Sequence, residues 1–197
     1  MSTAAPGARG GRDAVKTALV DAAAAMLSEV GPRALTVRDV ARRAGVNHGQ
    51  VHHCFGGKRG LLEAAMRQLA RGHYEHAREL TGDALYPPAL SLAEDSSYWR
   101  AVCRVVIEGD LDLARIEIDE GISVPRNVLR SLQQALEIEP DDLDFKARVA
   151  AMAALTLGWV AFEDFMLLVA DVEPEQREAL RSRVKQLIQD ATEQALG

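Results

Sequence analysis

A chain of 197 residues is long enough for one large domain or two small ones, and 48% hydrophobic with 26% charged residues is an ordinary globular balance. Aromatics at 5%, abundant Ala and Leu, and no alternating Val/Ile/Thr/Tyr run bounded by tight turns exclude a β protein and predict an all-α fold. The net charge of −6, spread evenly, would exclude nucleic acid, but residues 1–80 hold 12 Lys+Arg against 7 Asp+Glu while residues 81–197 hold 11 against 22. All five His also lie in the first part, so a basic segment able to approach phosphates precedes an acidic one that phosphates would repel.

In chain order, residues 1–11 are rich in Gly, Ala and Pro and read as a disordered arm. Arg9 and Arg12 could carry such an arm into a minor groove, beside the plainer reading of a loose tail. Helical periodicity begins near Asp13, with Val15, Leu19, Ala22 and Met26 on one face, and stops at Gly31-Pro32. Two short helices occupy 36–55. A longer one runs over about 58–80, with Leu61, Leu62, Ala65, Met66 and Leu69 as its core face.

Gly82, Pro87 and Pro88 break regular structure and place a boundary in 81–97. This predicts a domain over 12–80 and a second over 81–197. Helix resumes at about 98–109 with Trp99, Val102, Val106 and Cys103 inward, and 110–120 fits a helix poorly. Pro125 opens a helix over about 125–138. The last two helices, about 143–171 and 175–196, are strongly apolar, the first nearly all round, which predicts burial on more than one side and a homodimer packed through this pair. Cys54 and Cys103 are too few for a disulfide framework and read as small buried hydrophobes. The opening residues lack the apolar core of a secretory signal. The longest uncharged run, 149–162, is shorter than a membrane span, so a cytoplasmic protein with no membrane contact is expected.

The two short helices carry the chemistry. Thr36 is an N-cap with Asp39 three residues on, and Val37, Val40, Ala41 and Ala44 share a face. Gly45 sits where the chain must leave the helix with positive φ. Asn47 caps the next helix with Gln50 three residues later, and Val51 and Phe55 point to the core. Ala41 is small enough for two helices on so short a turn to cross closely. This is a helix-turn-helix with its recognition helix at about 47–54. His48, Gln50, His52 and His53 form the exposed face, where Gln can bond adenine and His can donate to base acceptors or phosphate. Arg38 points the same way, Arg42 and Arg43 read equally as phosphate contacts or solvated charges, and Lys58 with the following helix N-terminus would attract a phosphate.

The string Leu35-Thr-Val-Arg-Asp-Val-Ala-Arg-Arg-Ala-Gly-Val-Asn-His-Gly-Gln-Val-His-His-Cys-Phe-Gly-Gly-Lys-Arg-Gly-Leu-Leu62, preceded by Glu29-Val-Gly-Pro-Arg-Ala, resembles the N-terminal domain of the tetracycline-repressor (TetR) family over residues 13–70. Leu157-Gly-Trp-Val-Ala-Phe162 is similar to the penultimate helix of many members. The resemblance implies a three-helix DNA-binding domain and a helical ligand-binding and dimerisation domain. It further implies a homodimer on a palindromic double-stranded operator, released by a small-molecule effector, with no enzymatic activity and no cofactor. Family DNA contacts map onto Thr36, Arg38, Asn47, His48, Gln50, His52, His53 and Lys58. The family often has Tyr at His52, an aromatic at Cys54 and Ser at Gly57, which makes any contact by His52 weaker and pH-dependent.

The family's effector pocket lies among the middle helices, where Trp99, Cys103, Ile107, Met152, Trp159, Phe162 and Met166 are candidates to line it, each equally explicable as core or interface. Glu108, Asp110, Asp112, Glu117, Asp119 and Glu120 read as a solvated acidic surface or a face for a cationic ligand. The alternatives are a metal-binding protein, using His48, His52 and His53 or His73 and His76, or a purely structural helical dimer. No phosphate-binding loop, Gly-x-Ser-x-Gly or His-Glu-x-x-His supports an enzyme.

Overall fold

A computed structural model describes residues 6–196, with side chains from residue 11 onward. Arg9's side chain and residues 1–5 of the expected arm lie outside the described residues. From Pro6 the chain is already helical, so the arm expected to be disordered over 1–11 is at least half helix. Among the described residues there are ten α-helices and no strand: α1 Pro6–Ala34, α2 Val37–Arg43, α3 Gly49–Phe55, α4 Lys58–Thr81, α5 Ser96–Ile107, α6 Leu111–Ala114, α7 Ile116–Asp119, α8 Val124–Ala135, α9 Leu143–Val169 and α10 Arg177–Leu196.

Packing divides the chain into two compact units, the residues up to Gly72 with Arg100–Asp119, and His73–Trp99 with the residues from Glu120. The division expected at 80/81 is linear, whereas the packing is interleaved. The cause is a set of long-range polar ties that bind the segment after Trp99 to the N-terminal helices. Arg104 Nε donates to the Ser28 carbonyl at 3.1 Å, Glu108 accepts the Arg33 backbone N–H at 2.8 Å, and Asp110 takes the Arg59 guanidinium at 2.8 Å. Glu108 and Asp110 are thus structural acceptors rather than a solvated acidic surface.

In the first unit, α1 breaks at Gly31 (φ 80°), as the Gly-Pro pair predicts. Its fully buried residues are Leu19, Ala23 and Leu27, one residue removed from the expected stripe in its second half. Leu35, Val40, Ala41, Val51, Leu61, Ala65 and Met66 complete the core. Of α5, Ala101 and Val105 are buried in this unit while Val106, expected inside, is exposed; Tyr98 and Trp99, the latter as expected, are buried in the second unit. The poorly periodic stretch 110–120 becomes two single-turn helices, with Leu113 buried and Asp110 Oδ1 capping its N–H at 3.2 Å.

In the second unit, Leu132 of α8, Phe145 and Val149 of α9 and Leu196 of α10 form the core. Asp142 Oδ1 caps α9 through the Phe145 N–H at 2.7 Å. The expectation that α9 is buried on several sides is not met within one chain. Phe145, Val149 and Leu167 are buried, but Leu155, Phe162, Phe165, Leu168 and Val169 are exposed. By length and composition α9 is also apolar enough to cross a membrane, with a window of mean hydropathy 1.6 that the count of strictly uncharged residues missed. Cys54 and Cys103 are free and half-buried, so neither is the fully buried hydrophobe expected.

Candidate functional site

The first site grows out of the turn between α2 and α3. Thr36 lies in extended backbone, and its Oγ1 accepts the Asp39 N–H at 3.1 Å while its hydroxyl donates to Asp39 Oδ2 at 2.5 Å. That bond, with help from Arg42, holds the Asp39 carboxyl below its ordinary range. Gly45 turns the chain at φ 67°, and the Val46 N–H returns to the Ala41 carbonyl at 3.0 Å. Asn47 then caps α3, though through a different bond from the expected box. Its Oδ1 accepts the Gly49 N–H at 2.9 Å and its carbonyl the Gln50 N–H at 3.0 Å, so His48, already helical, opens the first turn. Gly56 (φ 73°) closes the helix.

Val51 is the fully buried anchor of α3, assisted by half-buried Cys54 and by Phe55, whose ring lies 5.9 Å from Lys16 Nζ. Everything else on α3 faces outward. Thr36, Arg38, Asn47, His48, Gln50, His52 and His53 are all exposed. Arg38 forms no ion pair among the described residues, whereas Arg42 pairs with Asp39 and Arg43 pairs through both terminal nitrogens with Glu29. A side chain at Gly57 would meet the His52 ring at an ordinary contact distance of 3.6 Å, so it is the backbone φ of 135°, not the ring, that favours Gly there. Lys58 is placed differently from the other candidates. It is half-buried, and its ammonium donates to the Arg33 carbonyl at 3.3 Å.

A second candidate is a cavity of about 120 Å³ within the second unit. Trp99 and Met152 line it. Cys103 and Ile107 belong to the first unit, Ile107 being 76% exposed; Trp159 and Met166 are half-buried outside the lining, and Phe162 is 53% exposed. The α9 face that does line the cavity is Val149, Met152, Ala153, Thr156, Leu157 and Val160, for which Thr156, a lone hydroxyl in an apolar helix, was the readable sign. His73 also lines it, and its sign was a His in register with the apolar face Met66, Ala70 and Ala77 of α4.

His73 is 3% exposed. It stacks on Tyr98 with ring centroids 3.9 Å apart and meets the Trp99 edge at 4.8 Å. Its Nδ1 is 2.7 Å from Asp95 Oδ2, and His76 Nδ1 is 2.8 Å from Oδ1 of the same carboxylate. Both imidazoles therefore turn one nitrogen to a single carboxylate, and among the described residues no three His, Cys, Asp or Glu side chains are placed to hold a metal ion. Burial pushes the His73 pKa below its ordinary value, with Asp95 opposing. The folded chain then binds fewer protons than the unfolded one just below pH 6.5, so His73's contribution to stability is complete above that pH and falls as the pH drops towards the folded pKa. Thermal melts between pH 7.5 and 5 are expected to lose more Tm in the native chain than in His73→Phe; parallel curves would contradict this.

An all-α chain with an N-terminal helix-turn-helix followed by a helical unit is the class of fold that these features define. Residues 19–65 match the profile of the bacterial regulatory proteins of the tetR family. Over 98 residues the chain is 39% identical to HTH-type transcriptional regulator BetI 2 of Chromohalobacter salexigens and 38% identical to HTH-type transcriptional regulator BetI of Yersinia pestis. Those matches cover 50% of this chain and only 42% and 44% of the relatives. Crystal structures of TetR-family transcriptional regulators from a Rhodococcus species (TM-score 0.62, 20% identity, 94% of this chain and 100% of that one) and from Streptomyces coelicolor (TM-score 0.52, 21% identity, 94% and 99%) share the fold. The sequence likeness to the tetR family thus lies in the helix-turn-helix region, residues 19–65, and the chain spans less than half the length of the curated relatives it matches.

Proposed function

We propose that the protein is a ligand-responsive transcriptional regulator of the bacterial cytoplasm, a repressor that binds a palindromic operator as a homodimer and leaves it when a small molecule occupies the helical unit. The observation that carries this reading is α3: one buried anchor, Val51, and an outward face of His48, Gln50, His52 and His53, flanked by exposed Thr36, Arg38 and Asn47. A helix held so lightly to its core, with hydrogen-bonding side chains over the rest of its circumference, suits insertion in a major groove. Lys58 and the first-turn amides of α4 would serve phosphate, with Lys58 exchanging its bond to the Arg33 carbonyl. In function, residues 12–80 would read DNA and residues 81–197 would bind effector and dimerise. The test is selection of bound fragments from genomic DNA. An inverted repeat with half-sites about 34–36 Å apart, or a multiple, is expected; bound fragments sharing no repeat would argue against it.

The exposed apolar row of α9, Leu155, Phe162, Phe165 and Leu168–Val169, with Leu187 of α10, supports a second copy of the chain as its partner. The opposite face of α9 is already packed on α8 and α10, which suits a protein interface better than surrounding lipid. Phe162→Glu with Phe165→Glu would bury four like charges across a symmetric contact, so the dimer dissociation constant is expected to rise by at least about 100-fold. Sedimentation in detergent-free buffer checks this, and an unchanged dimer would rule the surface out.

Release by an effector is a shift between two populations that differ in the spacing of the recognition helices. α4 is the covalent carrier, since its residues to Gly72 belong to one unit and those from His73 to the other.

A further inference from the structure

The cavity of the second unit is close in size to the roughly 150 Å³ apolar cavity that accommodates benzene in an engineered protein. No Lys, Arg, Asp or Glu lines it. A charged effector would therefore lose its hydration without gaining a counter-charge, at a cost no cavity of this size recovers. An uncharged effector is the class that fits.

Most of the polar atoms around the cavity are already committed. Trp99 Nε1 donates to the Leu92 carbonyl at 2.7 Å. The Thr156 and Thr192 hydroxyls donate to the Met152 and Ile188 carbonyls of their own helices at 3.1 and 2.7 Å. His73 Nε2 stands apart even from the hydroxyl of half-buried Tyr86, because it is fully buried and has no hydrogen-bond partner. Its chemistry is fixed from the other side of the ring. Asp95 can only accept, so the proton sits on Nδ1, and a neutral ring then presents a bare lone pair at Nε2. The groups that face this ring are Asp95, His76 on the same carboxylate, and the Tyr98 and Trp99 rings, none of which reverses that polarity. Burial keeps the ring neutral near pH 7.

We propose that His73 Nε2 is the hydrogen-bond acceptor of the effector cavity, and that the effector is an uncharged, mainly apolar molecule carrying a hydroxyl or N–H donor. This rests on the proposed function's reading of the second unit as the effector site. Asp95 is the positioning residue, setting the tautomer and the plane of the ring. The stack on Tyr98 holds that plane.

The test is titration of the full chain with phenol and with toluene, which differ by the donor and little in size. Phenol is expected to bind about tenfold tighter, the size of one buried hydrogen bond made instead of left unmade. Phenol, not toluene, should shift the ¹⁵N resonance of His73 Nε2. His73→Phe keeps an aromatic ring on Tyr98 and removes the acceptor, so the two probes should bind alike. Asp95→Asn retains His73 but releases its tautomer, and should also reduce the preference; it decides the matter if His73→Phe does not fold. Equal binding of both probes by the native chain, or a phenol preference that survives these variants, would overturn the assignment of His73 alone. Binding of neither would overturn it together with the effector part of the proposed function, while operator binding, measured separately, would stand.

Discussion

Replacing Arg38 and Gln50 together by Ala is expected to weaken operator binding by at least about 100-fold while leaving the fold intact. Gln50 is exposed on the first turn of α3, where a bidentate bond to adenine is worth about 1–3 kcal/mol of discrimination. Arg38 is exposed and, though the Asp39 carboxylate feels its charge, forms no direct ion pair among the described residues, so its guanidinium is available for a charge-assisted phosphate bond of about 1.5–3 kcal/mol. The two losses together come to about 2.5–6 kcal/mol, or about two to four decades in affinity at about 1.4 kcal/mol per decade. Neither side chain packs in the core, so the variant's melting curve should overlay that of the native chain. By contrast, Arg43→Ala should cost little DNA affinity, because both of its terminal nitrogens are already held by Glu29. Fluorescence anisotropy on the selected operator, with thermal melts alongside, separates these outcomes.

Two glycines of the same helix should respond with opposite signs. Gly60 sits in the first turn of α4, and a Cβ there would overlap the Phe55 carbonyl oxygen at the end of α3. Both partners are main chain, so neither can swing aside, and relief means moving the recognition helix. Ala normally gains about 1 kcal/mol over Gly inside a helix. Against this, forced overlap in a packed junction costs about 3 kcal/mol. Gly60→Ala is therefore expected to destabilise by about 2 kcal/mol, a fall in Tm of about 4–8 °C for a chain of this size, and to weaken operator binding. Gly72, further along α4, has open space around it and an ordinary helical φ. Gly72→Ala should raise stability by up to about 1 kcal/mol. Differential scanning calorimetry of the pair is decisive, since equal shifts would mean that the α3–α4 junction is not close-packed.

The helix-turn-helix was readable because its determinants are local. Thr36, Ala41, Gly45, Asn47 and Val51 lie within sixteen residues, and each acts through its own turn of backbone. The one local detail that differed, Asn47 bonding the Gly49 amide, changes the partner and not the cap. Legibility fell wherever the answer depended on distant contacts. Glu108 and Asp110 looked like surface charge because their partners, Arg33 and Arg59, are 75 and 51 residues away. In α9 periodicity carried little information, since the residues that line the cavity and those exposed on the other face are equally apolar. Trp99 and Met152 were found on the cavity and Phe162 was not, because only packing against α8 and α10 selects the inward face. His73 was read only as half of a possible metal pair with His76, although it stands in register with the apolar face of α4. Its role depended on Asp95, which reaches it across a loop that sequence reading could only call irregular.

The most direct test of the account is the salt dependence of binding between the full chain and its selected operator, set beside a scrambled duplex. A dimer that seats two copies of α3 and neutralises about six phosphates should show log K falling with log salt at a slope of about −5. At physiological salt it should keep at least about a 1,000-fold preference for the operator. Equal affinity for both duplexes, or an affinity indifferent to salt, would contradict the claim that Thr36–Phe55 reads DNA.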